Sequence, residues 1–150
     1  MRIASISTVE ILLVEDNPGD VRLTQEGFAH ARMHNRLWVA PDGETAGRML
    51  RHEHPHEDVP HFDLVLLDLN LPGTQGLDVL REIRADEQLR HLPVVVLSSS
   101  DDERDIAASY DLHANCFVTK PIELDEYVDA VQAIEQFWVT VARRPRSSDA

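Results

Sequence analysis

Short apolar runs alternate with stretches of helical period along this chain. Val9–Val14 is apolar at every position except Glu10, the mark of a strand buried on both faces. Val21, Thr24, Phe28 and Ala31 then recur at helical spacing, with Pro18 where a first helical turn tolerates proline. Leu37–Val39 predicts a second strand, and Ala46, Met49 and Leu50 a short helix opened by Asp42 and Gly43. Asp63–Leu67 predicts the third and clearest strand, followed by a helix carrying Leu77, Leu80 and Ile83. Pro93–Leu97 predicts a fourth strand, Ile106, Ala107 and Tyr110 a helix, and Cys116–Val118 a fifth strand. A last helix carries Leu124, Tyr127, Val128, Val131, Ile134 and Trp138.

Strands without polar alternation, each followed by a helix, imply a parallel sheet covered on both sides. Right-handed crossovers then leave a doubly wound, five-stranded (βα)5 sandwich as the simplest α/β topology. The 150 residues suit one domain, expected over 9–142, with an N-terminal extension over 1–8 and a C-terminal tail over 143–150. No period of 20–50 residues repeats.

Charge narrows the function. The formal net charge is -13, which argues against nucleic acid as a partner, because such binding neutralises phosphates with Lys and Arg. The one basic cluster, Arg143, Arg144 and Arg146, reads as a solvated tail. No apolar run approaches the roughly 18 residues of a membrane span, and the first residues lack a secretory pattern. A single cysteine, Cys116, rules out an internal disulfide and fits the reducing cytoplasm. His52, His54, His56 and His61 crowd the loop before the third strand, at spacings that match no standard metal site.

In open parallel sheets the ligand crevice lies beyond the carboxyl ends of the strands. Glu15 and Asp16 follow the first strand there, Asp68 the third, Ser98 the fourth, and Thr119, Lys120 and Pro121 the fifth. Three carboxylates within a few Å raise one another's pKa unless a cation sits among them. A hard divalent ion, Mg²⁺ (or Mn²⁺), answers that need where phosphate is also handled. A carboxylate can attack a phosphoryl group to give an aspartyl phosphate, while a metal, a lysine and a hydroxyl neutralise the transferring oxygens.

Four motifs carry a family resemblance: Leu12–Asn17, Val65–Gly73 with Gly76, Val95–Ser98, and Phe117–Pro121. Together they resemble the receiver domains of response regulators, of CheY-like, flavodoxin-like fold, over about residues 9 to 141. The resemblance implies that Asp68 accepts phosphate from a phosphohistidine, with Lys120 and Ser98 contacting it. Glu15, Asp16, Asp68 and the Asn70 backbone carbonyl would hold the metal. It implies a cis peptide between Lys120 and Pro121, and a switch in which Ser98 turns toward the phosphate and Phe117 swings inward. Phe117 lacks a phenolic hydroxyl, so no switched hydrogen bond runs through that ring. Asn70 and Ser100 stand where related domains tune acyl-phosphate hydrolysis.

No DNA-binding or catalytic segment follows, so the expected output is protein contact and the chain is not expected to be an enzyme beyond turning over its own phosphate. Ala130, Ala133, Phe137 and Val141 widen the apolar stripe of the last helix, which points to a homodimer surface. The stretch from Glu15 to Leu23 and the ending Ile134–Trp138 resemble stand-alone receivers that partner phytochrome-type or other sensor histidine kinases, or a histidine phosphotransfer protein. Three other readings compete. A haloacid-dehalogenase-type phosphatase needs a second Asp where Asn70 stands. A flavodoxin-like FMN carrier needs a phosphate loop where Glu15 and Asp16 repel phosphate. A receiver used only as an interaction module would not label with acetyl phosphate.

Overall fold

The computed structural model describes residues 8–73, 75–99, 103–121 and 123–140, the last four without their side chains. The strands are β1 (Val9–Val14), β2 (Asn35–Ala40), β3 (Leu64–Leu67), β4 (Val94–Ser98) and β5 (Cys116–Thr119). Between and after them run α1 (Pro18–Ala29), α2 (Gly43–Leu50), α3 (Gly76–Ala85), α4 (Glu103–Asp111) and α5 (Leu124–Thr140). All strand pairs are parallel, in the order β2-β1-β3-β4-β5. The expected doubly wound sheet is present.

Alternation along each central strand splits the core in two. Leu12, Val14, Val65, Leu67, Val94 and Val96 face Ala46, Met49, Leu80 and Ile83 of α2 and α3. Ile11, Leu13, Leu64, Leu66 and Val95 face Phe28 of α1 and Val131 and Ile134 of α5. This is why β1, β3 and β4 read as unbroken apolar runs.

Local chemistry starts and stops the helices. The Asn17 side chain caps α1 by accepting from the Asp20 N–H at 3.1 Å, with Pro18 in the first turn. Asp42 caps α2 through the Thr45 N–H at 2.7 Å. Gly76 opens α3 because nothing larger fits: a Cβ there would lie 2.3 Å from the Asp68 carbonyl oxygen. That close approach ties the start of α3 to the end of β3.

Glu10, the polar break in the first strand, is buried and ion-paired with Arg36 of β2; the Trp38 indole N–H also donates to it at 3.0 Å. Burial works against its charge, but the Arg36 and Trp38 hydrogen bonds outweigh it and hold its pKa below the ordinary value.

Two expected apolar stripes are narrower than their spacing suggests. In α4 the buried residue is Ser109, whereas Tyr110 is 48% exposed. The helix lies at the sheet edge, and the Tyr110 hydroxyl accepts a hydrogen bond from the Phe117 N–H of β5 at 3.1 Å. In α5, Tyr127, Val131 and Ile134 are buried, but Leu124 is 38% exposed because it opens the helix beyond the sheet. The Trp138 side chain lies outside the described residues, as do Ser100, the extension up to residue 7 and the arginines of the tail.

Candidate functional site

Parallel pairing carries the acidic residues to one edge of the sheet. The backbone ladder continues one residue past β1 and β3: the Glu15 N–H donates to the Ala40 carbonyl at 2.9 Å, and the Asp68 N–H to the Val14 carbonyl at 3.0 Å. These bonds fix two carboxylate-bearing residues side by side at the point where the chain reverses its direction of strand addition, between β1 and β3. Ligand oxygens of Glu15, Asp16 and Asp68 all lie within 4.8 Å of one another. Glu15 and Asp68 are buried, at 2% and 4% exposure, while Asp16 faces solvent.

Lys120 arrives from the end of β5. Its N–H donates to the Ser98 carbonyl at 2.7 Å, joining the ends of β4 and β5. Its ammonium reaches Glu15 Oε1 at 2.5 Å, Asp20 Oδ2 at 2.8 Å and Asp68 Oδ2 at 3.2 Å. Asp68 Oδ1 accepts from the Asn70 N–H at 3.2 Å, and Glu15 Oε2 from the Asn17 N–H at 3.1 Å. Ser98 is fully buried at the end of β4.

The electrostatics follow from burial and proximity. Burial pushes the Glu15 carboxyl up to about 7, against the pull of its hydrogen bond from Lys120 and with a further push from Asp68. Burial also opposes the Lys120 charge, but hydrogen bonds to Asp20 and Glu15 and the nearby Asp68 outweigh it, so the ammonium is held above its ordinary pKa. Three carboxylates therefore contact one ammonium, with Asp16 beside them.

The structure brings Glu15, Asp16, Asp68 and Lys120 together as expected. Asn70 adjoins them through its N–H, its side chain being exposed, and Ser98 through its backbone contact with Lys120. Phe117 is half-buried on the edge strand and packs against the core under α2 and α3. Asp20 was missed; its position in the first turn after the β1 carboxylates was the available signal. The expected cis peptide is corrected. Among the described residues the cis bond is at His54–Pro55, not Lys120–Pro121. The trans form is intrinsically favoured by about 0.5–1 kcal/mol, and the flexible lysine stem brings the ammonium onto three carboxylates without the cis form. Of the expected subunit contact, Ala130 is half-buried and Ala133 exposed. The Phe137 side chain and Val141 lie outside the described residues.

Fold and site together define a flavodoxin-like α/β protein with a carboxylate cluster and a lysine at its switch point. The chain belongs to the response regulator receiver domain family, whose pattern it matches over residues 11–132. It is 42% identical over 135 residues to the response regulator Rcp1 of Synechocystis, covering 90% of this chain and 92% of that protein. The crystal structure of the phosphorylated cyanobacterial phytochrome response regulator RcpA superposes with a TM-score of 0.87 at 44% identity, covering 93% of this chain and all of that one. The Mn²⁺-bound form of Rcp1 superposes with a TM-score of 0.84 at 41% identity, over 92% of this chain and 99% of that one.

Proposed function

We propose that this protein is a response regulator of a two-component phosphorelay that takes a phosphoryl group from a histidine kinase phosphohistidine onto Asp68. The observation that carries the reading is the buried Asp68 carboxylate, held beside Glu15, Asp16 and the Lys120 ammonium. An Asp68 oxygen attacks phosphorus, the P–N bond breaks, and the departing imidazole nitrogen keeps the electron pair. The Asn70 N–H orients one Asp68 oxygen, and Lys120 lies beside the other, where it can neutralise the incoming oxygens. Ser98 supplies a hydroxyl from the end of β4.

The donor set fits a hard divalent cation, because four carboxylates against one ammonium leave surplus negative charge among oxygen ligands. Glu15, Asp16, Asp68 and the Asn70 carbonyl would hold Mg²⁺ or Mn²⁺, which when bound neutralises charge on the phosphoryl oxygens. The Mn²⁺-bound form of the similar Rcp1 supports this. The phosphatase alternative lacks support, since position 70 offers an exposed amide rather than a general acid.

The likeness to RcpA makes a phytochrome-type kinase the favoured donor, in the cytoplasm. Output runs through Ser98 and Phe117 to a downstream protein, and the exposed Ala133 and half-buried Ala130 of α5 belong to a homodimer surface. Intact-mass analysis after acetyl phosphate and Mg²⁺ tests the chemistry. A gain of one phosphoryl mass that is absent in Asp68→Asn supports it, and labelling of that variant overturns it.

A further inference from the structure

The histidine-rich loop after α2 lies at the other end of the strands from Asp68, and the tertiary structure changes how it reads. His52 and His61, nine positions apart in the chain, meet with ring centroids 4.7 Å apart in an edge-on arrangement. Both line an open cavity of about 520 Å³ whose wall also carries Asp86 and Glu87 from the segment after α3.

The backbone shows that His52 is held in place. The α2 helix ends in a Schellman motif: the Glu53 N–H donates to the Arg48 carbonyl at 2.8 Å, and the His52 N–H to the Met49 carbonyl at 3.2 Å. The residue between these closures takes a left-handed conformation, a place usually given to glycine, and His52 occupies it at φ 56°. The two closures anchor the backbone that presents the His52 imidazole to His61. The other groups nearby are already engaged: Arg51 pairs with Glu53 at 3.3 Å, and His54 with Glu57 at 3.0 Å.

We infer that His52 and His61 form a second cation site, for a borderline transition ion such as Zn²⁺. Paired imidazoles suit Zn²⁺, Cu²⁺ or Ni²⁺ and disfavour Mg²⁺, which takes oxygen ligands. Among the described residues, three ligand atoms gather within 4.8 Å only at Glu15, Asp16 and Asp68. The His52–His61 site is therefore a two-imidazole one, completed by water or by rotation of Asp86 or Glu87. The carboxylates on the wall add a field that attracts cations. This inference does not depend on phosphoryl transfer to Asp68.

Calorimetric titration of Zn²⁺ into the full chain, with Mg²⁺ in saturating excess, tests it. One equivalent should bind in the wild type and in Asp68→Asn, and the affinity should fall at least tenfold in His52→Gly and in His61→Ala. His52→Gly suits the left-handed backbone, so an unchanged melting temperature without zinc separates ligand loss from unfolding. Zinc should also raise the melting temperature of the wild type and not of His52→Gly. Binding unchanged in both histidine variants, lost in Asp68→Asn, or lost equally in His54→Ala would overturn the assignment.

Discussion

Glu15 shows how one buried carboxyl couples stability to ionic conditions. Its folded-state pKa, about 7, lies above the ordinary carboxyl value of 4.5, because burial penalises the charged form. A raised carboxyl pKa means the folded state keeps a proton the unfolded state has lost. The stabilisation from Glu15 is therefore largest at low pH and declines as pH rises from about 4.5 through about 7. Thermal melts of metal-free protein at pH 5.5 and 8 should show a Glu15-dependent fall that Glu15→Gln lacks. Lys120 is the counterpart, with 7% of its side chain exposed. Lys120→Ala leaves Glu15, Asp20 and Asp68 without their ammonium and should cost about 3–5 kcal/mol in chelator. Added Mg²⁺ should recover part of that loss; a recovery no larger than in wild type would count against a cation site at these carboxylates. Asp20 was passed over as a site residue because an acidic group in a first helical turn also has an ordinary explanation in the helix dipole. Only the reach of Lys120 from β5 gives it a second role.

Between β3 and α3, the contact at Gly76 governs how rigidly Asp68 is held. A methyl group there would meet Asp68 and Leu69 backbone atoms at 2.3 and 2.6 Å, neither of which can rotate away. Gly76→Ala should destabilise the fold by about 1–3 kcal/mol. It should also slow acetyl phosphate labelling of the folded fraction, measured by denaturant melts and intact mass. The strand and helix order was legible in the chain because β1, β3 and β4 are buried on both faces and leave unbroken apolar runs. The edge elements were less legible. Tyr110 looked like core at helical spacing, yet it caps the open edge of β5, where a hydroxyl is worth more than burial. Position along the sheet, which a local period does not record, decides that outcome.

Across the molecule, a net charge of -13 makes the folded state self-repelling and responsive to cations. Mg²⁺ should raise the melting temperature in a concentration-dependent way through the Glu15, Asp16 and Asp68 oxygens, and Asp16→Asn should weaken that rise. An equal rise in Asp16→Asn would mean that general screening explains the effect. Size measurement with and without beryllofluoride should show a dimer that Ala133→Glu disrupts, since Ala133 is the exposed residue of the proposed dimer surface.

Residue types at strand ends were enough to single out Glu15, Asp16, Asp68 and Lys120, because a parallel sheet must gather its carboxyl ends at one edge. The chain's own pattern also settled the layered architecture, since local burial periods survive in any compact arrangement. Which cation meets which carboxylate, the entry of Asp20 and the meeting of His52 with His61 were decided only in three dimensions. Those contacts depend on side-chain reach and loop closure between elements distant in the chain, and no local spacing encodes them.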